Sequence, residues 1–241
     1  MLRELIRLMV LCCCIHAGVS QCAADVLFFD GFDYIDPGNW DDLGGCYTYQ
    51  GELYVESNPM FSGGLSSVQS FSVPDVEGEC IYFSGLNKRR LSNPAATSRV
   101  WIAYVQSLGD GGTPLHFGGY LDFVTADEVT NVYFGWLTAS DPFELSHIGT
   151  FDDAAVILWK LSIESSVEYF QRADVYLKQS GEEWDLRYTC WEFPDVPLNI
   201  GLTGEGGGQA VWDDIEVGLE PGTPVESESW TNIKAMFRHG P

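Results

Sequence analysis

Val211-Trp212-Asp213-Asp214-Ile215-Glu216-Val217 stands near one end of the chain, and Phe28-Phe29-Asp30-Gly31-Phe32-Asp33 near the other. Both read as short apolar strands broken by acidic residues. Inward from the first patch lie Trp40 and then Gln50-Gly51-Glu52-Leu53-Tyr54-Val55, whose Glu52 to Glu56 portion reads as a strand with one wet face. Working further inward, strands are expected at Ser67–Val73, Cys80–Ser84, Arg99–Gln106, Leu115–Val124, Val132–Leu137, Val156–Ile163, Ala173–Leu177 and Leu198–Leu202. Gly, Pro, Asn and Asp punctuate them, the pattern of a sandwich or barrel. No segment of the body keeps a 3.6-residue period over the length a helix needs.

Two strands carry more detail. Val156 to Ile163 puts Ile157, Trp159, Leu161 and Ile163 on one face with Lys160 and Ser162 opposite, so Trp159 is expected in the core. Arg99 to Val105 is largely apolar on both alternating faces. Such a strand is covered on both sides or carries a binding surface on one.

The chain holds 12 basic and 35 acidic residues. Residues 1–24 read as a secretory signal: Arg3 and Arg7, the apolar run Leu8 to Ile15, and small residues before a cut placed after Ala24. The apolar run is too short to span a bilayer as a helix. A lipidated Cys22 is disfavoured by the bulk of Gln21. Removing Arg3, Arg7 and Glu4 leaves 10 basic and 34 acidic residues, a formal charge of −24. Such a surface repels phosphate backbones and anionic headgroups, which argues against a nucleic-acid partner and favours uncharged polymers and calcium.

Three cysteines remain after the cut, Cys46, Cys80 and Cys190. Export permits a disulfide, and an odd count leaves a thiol over. His116, His147 and His239 are far apart, and no Cys/His spacing fits zinc. After residues 25–218, the expected domain, Leu219 to Ser229 is rich in Pro, Gly, Glu and Ser and reads as a linker. Residues 230–241 form a tail whose Trp230, Ile233 and Phe237 would share one face of a short helix capped by Ser229.

The three patches, in this order and at these ends, resemble the first strand, the following Gly-x-Leu strand and the closing strand of concanavalin A-like jelly rolls. That group includes bacterial lichenases, laminin-G-like domains and exported bacterial modules without assigned activity. The resemblance covers Val26 to Gly218. It implies an all-β fold, a two-sheet antiparallel jelly-roll sandwich, with the first and last strands paired. It also implies a structural calcium (Ca2+) at that seam, held by the carbonyls of Gly31 and Gly51 and the carboxylate of Asp214. Calcium takes oxygen ligands of this kind.

The glucanase branch sets two glutamates and an aspartate on alternating positions of one strand, so that all enter one cleft. Glu164 to Glu168, Glu77 to Glu79 and Asp122 to Glu128 all fail that spacing. Gly204 to Gly208 lacks the Lys-Ser/Thr ending that phosphate binding needs. The expected function is therefore an exported, non-catalytic binding module at a cell surface, for glycans or another surface component. Trp101, Tyr133 and Tyr176 are the candidate ligand-stacking rings, since flat aromatic faces stack on sugar rings. Core packing is the competing role for each of them. A divergent glycosidase or polysaccharide lyase and a structural surface protein are the alternatives.

Overall fold

Period-two alternation makes strands wherever one face must be dry, and most of the described strands obey it. The computed structural model describes residues 25–57, 63–76, 78–89, 97–106, 115–126, 128–137, 145–152, 155–164, 171–205 and 209–221. Their strands are β1 (Asp25–Asp30), β2 (Trp40–Asp42), β3 (Cys46–Tyr49), β4 (Glu52–Glu56), β5 (Gly63–Ser67), β6 (Glu79–Arg89), β7 (Thr97–Gln106) and β8 (Leu115–Ala126). They continue as β9 (Val129–Leu137), β10 (Ser146–Asp152), β11 (Ile157–Glu164), β12 (Gln171–Gln179), β13 (Asp185–Phe193), β14 (Asn199–Glu205) and β15 (Gln209–Pro221). The described residues contain no helix.

All pairings are antiparallel. An eight-stranded sheet runs β13-β12-β11-β6-β15-β4-β3, with β1 also on β15, and a seven-stranded sheet runs β10-β9-β8-β7-β14-β5-β2. The end strands pair as their motifs predict: Phe28 lies opposite Val217, Phe29 opposite Glu216 and Asp30 opposite Ile215. One edge of β15 is shared. Gln209 to Trp212 pair with Glu56 to Leu53 of β4, and Ile215 to Leu219 pair with β1. The changeover falls at Asp213-Asp214, where the ladder to β6 shifts register and Asp214 takes φ 49°.

The inner faces of the two sheets enclose one core. Trp40, Trp159 and Trp212 are buried in it with Phe83, Phe123, Phe134 and Phe193. Trp159 is thus a core residue, as its strand pattern predicts. Trp212 of one sheet meets Phe123 of the other edge-on, ring centres 5.7 Å apart. Trp40 is fixed differently: its Nε1–H donates to Asp30 Oδ2 at 2.7 Å, and the amide of Phe32 donates to Asp30 Oδ1 at 2.8 Å.

Two expectations need correction. The strand expected over Ser67–Val73 stops at Ser67, and beyond it only Phe71 bridges, to Leu198. Asn199 Nδ2 donates to the carbonyls of Ser67 and Gln69, and the Ser67 hydroxyl donates to Gln69 as well, so side chains take the backbone acceptors a ladder would use. At the other end, β15 runs past Gly218: Leu219, Glu220 and Pro221 still pair with Ile81, Cys80 and Glu79. Glu220 accepts from Lys160 Nζ and the Ser162 hydroxyl, which holds the extension to the sheet. The expected signal sequence, the rest of the expected linker and the expected tail lie outside the described residues.

Candidate functional site

The seven-stranded sheet has a second apolar face. Val100, Ile102, Leu121, Phe123, Val132 and Phe134 point into the core. The alternate positions Trp101, Ala103 and Tyr120 form a separate cluster with Val105 and Leu137 on the side turned away from it. Strand register arranges this outer face in rows. One row reads Gly201, Trp101, Tyr120, Gly135 across β14, β7, β8 and β9. The next reads Thr203, Arg99, Asp122, Tyr133, His147, reaching β10.

Glycines make the first row flat. A Cβ on Gly201 would lie 1.9 Å from Trp101 Cε2, and one on Gly135 would lie 2.4 Å from Tyr120 Cζ. Real Cβ atoms cannot approach so closely, so each ring lies down on a bare backbone. The result is an aromatic floor that is almost wholly shielded, Trp101 at 6% exposure and Tyr120 at 5%.

The second row adds polar chemistry. Arg99 Nε and Nη2 donate to Asp122 Oδ1 and Oδ2 at 2.6 and 2.9 Å, a bidentate pair with the Asp122 side chain only 6% exposed. The guanidinium carbon sits 4.4 Å from the centre of the Tyr120 ring. Buried pairs of this sort add little net stability but fix geometry in a plane. Towards β10 the row opens to solvent. Half-buried Tyr133 meets exposed His147 edge-on at 5.3 Å, and the Thr150 hydroxyl donates to Asn131 Oδ1 at 2.8 Å with His147 Nε2 within 3.0 Å of it.

Trp101 and Tyr133 therefore share this face, whereas Tyr176 does not. Tyr176 is on β12, on the outer face of the opposite sheet, with Lys160 Nζ 4.8 Å above its ring. Arg99, Tyr120 and Asp122 were not among the sequence candidates. Gly135 and Gly201 inside strands are the signal that could have located the floor, since an interior strand glycine marks a close approach.

The seam is the second candidate. Gly31, Gly51 and Asp214 come together there: a Cβ on Gly31 would be 4.0 Å from Asp214 Oδ1, and one on Gly51 would be 3.8 Å from the Gly31 carbonyl oxygen. Asp33 Oδ1, which the sequence reading did not select, lies 4.0 Å from the same Gly51 position. Phe32, Gln50 and Asp214 all take positive φ here, at 52°, 56° and 49°, and Gly51 takes 76°. Left-handed non-glycine residues are costly and cluster where the surroundings impose them. The donors are carbonyls and two carboxylates, all oxygen, which is what a hard cation requires. Among the described residues no group of three or more His, Cys, Asp and Glu side chains gathers, so any ion here would depend on the backbone oxygens.

Cys46 and Cys80 are not reactive centres. Cys46, Cys80 and Cys190 form no disulfide with one another. Burial, then the nearby Asp42, pushes the Cys46 thiol up to about 12. Burial, with Glu164, Glu220 and Asp174 adding to it and a Ser162 hydrogen bond opposing it, pushes Cys80 up to about 11. Both are protonated at neutral pH and poor nucleophiles.

No family model and no curated protein matches the chain. Solved structures do match. An endo-1,3-β-glucanase from Streptomyces sioyaensis is similar at TM-score 0.58 and 13% identity, over 82% of this chain and 97% of that one. A legume lectin-like domain from Entamoeba histolytica is similar at TM-score 0.54 and 13% identity, over 86% of this chain and 100% of that one. The Emp46p carbohydrate recognition domain in its potassium-bound form gives 0.53 at 10%, over 80% and 95%. The fold is the concanavalin A-like lectin/glucanase jelly roll.

Proposed function

We propose that this protein is an exported, non-catalytic carbohydrate-binding module that takes glycans on the outer face of its seven-stranded sheet. The observation that carries the reading is the pair of rows on that face. Trp101 and Tyr120 lie flat on Gly201 and Gly135, beside a polar row of Arg99, Asp122, Tyr133 and His147. A sugar ring has an apolar C–H face and a rim of hydroxyls; half-buried Tyr133 and exposed His147 offer rings to the first, and the donors and acceptors of the polar row meet the second, seated beside the shielded floor of Trp101 and Tyr120. The neighbours in fold include carbohydrate recognition domains, which agrees with this reading. Export rests on the signal-like residues 1–24, and N-terminal sequencing of secreted protein should begin at Asp25.

The non-catalytic part rests on carboxylate placement. Glycoside hydrolysis uses two carboxyl groups facing across the bond, about 5–5.5 Å or 6.5–9.5 Å apart. On β14, β7, β8 and β9, Asp122 is the only carboxylate among the described side chains of the outer face, and Arg99 holds both its oxygens. A glycan array should give binding, and incubation with mixed polysaccharides should release no reducing sugar. Turnover that survives repurification would replace the binding reading with the glycosidase one.

The seam completes the proposal as a structural calcium site, with Gly31 and Gly51 carbonyls and the Asp214 and Asp33 carboxylates as the holding groups. When bound, the ion would neutralise the two carboxylates and tie β1, β4 and β15 together. Calcium at a hundred times its dissociation constant should add about 2.7 kcal/mol, raising the melting temperature by roughly 5–10 °C. Asp214→Asn tolerates the same left-handed backbone and removes the charge, so it should abolish the increment and leave the metal-free melting point nearly unchanged. A wild-type melting point indifferent to chelator and to added calcium rules the ion out.

A further inference from the structure

The outer face of the eight-stranded sheet carries its own aromatic assembly, and Tyr176 belongs to it. Lys160, opposite Tyr176 in the ladder, has its Nζ 4.8 Å from that ring centre and 5.8 Å from the Trp184 ring. Lys178 Nζ lies 4.5 Å from the Trp184 ring centre, and Arg172 Cζ lies 5.4 Å from that of Trp191. Two of the cations are themselves anchored. Lys160 donates to both oxygens of Glu220 at 3.2 Å. Arg172 Nη2 lies 2.7 Å from Asp174 Oδ2, Arg172 Nη1 lies 3.8 Å from Glu164 Oε2, and the Thr189 hydroxyl donates to Asp174 at 2.6 Å. A cation over a ring face steadies the ring. What remains outward is substantial: Trp184 is 37% exposed and Trp191 40%. From Arg172 to Lys178 the strip runs along seven residues of β12, about 20 Å at the strand rise.

Two features of the strip select its ligand. Lys160 is paired with Glu220, Arg172 with Asp174 and Glu164, and Lys178 sits over Trp184, so charge along β12 is largely offset on a chain of formal charge −23. The strip's rings are separated by hydrogen-bonding groups and do not merge into the contiguous apolar patch that a protein partner buries. Offset charge, spaced flat rings and intervening donors and acceptors complement an extended, uncharged, hydroxyl-rich chain. We propose that Tyr176, Trp184 and Trp191 form a second glycan platform for a neutral polysaccharide lying along β12, on the opposite side of the molecule from Trp101. This rests on the glycan-binding reading and extends it: one molecule can hold two chains.

The test uses the full chain with soluble and insoluble β-1,3-glucan, cellulose and chitin as probes. Wild type should be retained by at least one insoluble polymer and should raise light scattering of the corresponding soluble chains by crosslinking them. Trp184→Ala/Trp191→Ala, both exposed, should keep the circular-dichroism spectrum, lose the scattering and be retained at least tenfold more weakly. Should that variant fail to fold, Trp184→Arg, in the turn before β13, takes its place. Tyr133→Ala/His147→Ala should also lose the scattering while keeping part of the retention. If the tryptophan variant crosslinks and is retained like wild type, the second platform is wrong and the first face stands. If the tryptophan variant loses all retention while Tyr133→Ala/His147→Ala loses none, the platform on β12 is right and the first face is wrong. If wild type is retained by no polymer, both are wrong.

Discussion

Gly201→Ala should expel the Trp101 ring from the sheet surface. The added methyl would start 1.9 Å from Cε2 and 2.0 Å from Cζ2 of the indole, both ring atoms of a side chain that cannot bend away at its far end. Either the ring rotates out or β14 moves from β7. Overpacking of this severity costs about 1–3 kcal/mol, or roughly 2–12 °C of melting temperature at about 2–4 °C per kcal/mol for a domain of this size. Glycan binding should fall as well, because Trp101 lies opposite Tyr120, on whose ring the Arg99 guanidinium of the polar row rests. Trp101→Ala/Gly201→Ala should cost clearly less than the sum of the two single changes while leaving binding lost. That non-additivity is the signature of two residues sharing one space. Additive destabilisation in the double variant would mean that the ring does not rest on Gly201.

Trp212→Ala should be the most destabilising single core change, at about 3–5 kcal/mol. The indole is wholly buried between β15 and β8, and its loss opens a void under the seam where β4 and β1 exchange places on β15. Among the described residues its Nε1–H meets no hydrogen-bond acceptor, and the same holds for Trp159. Burying an unpaired donor costs about 1–3 kcal/mol, so Trp212→Phe removes a penalty along with some packing and should cost much less than the alanine change. Chemical denaturation of the three proteins at fixed calcium checks the order. Equal losses in the Phe and Ala variants would contradict it.

The ends of the fold were legible because each end strand carries a recognisable patch, and the interior of β11 was legible because its alternation is clean. The edge strands were not. β13 shifts register against β12 at two places and β10 is bulged between His147 and Gly149, so neither shows the period of two that marks a strand. β2 and β3 are only three and four residues long. The same reasons governed the site. Trp101 stood out because both faces of its strand are apolar. Arg99 and Asp122 lie 23 residues apart, with no motif between them, and only the β7–β8 register makes them neighbours. Tyr176 has the same chemistry as Tyr133 in the sequence, yet the topology puts it on the other sheet. Asp33 joins the seam through a turn built on left-handed residues, which composition does not reveal.

Calorimetric titration of a glycan-array hit decides whether the outer face of the seven-stranded sheet binds glycan. Tyr133 and His147 stand at the open end of the polar row, so removing their rings leaves the core intact. Wild type should bind the glycan with a defined stoichiometry, and Tyr133→Ala/His147→Ala should bind it at least tenfold more weakly, about 1.4 kcal/mol, at an unchanged melting temperature. Equal affinity in the two proteins, or no glycan bound by wild type, would contradict binding at that face.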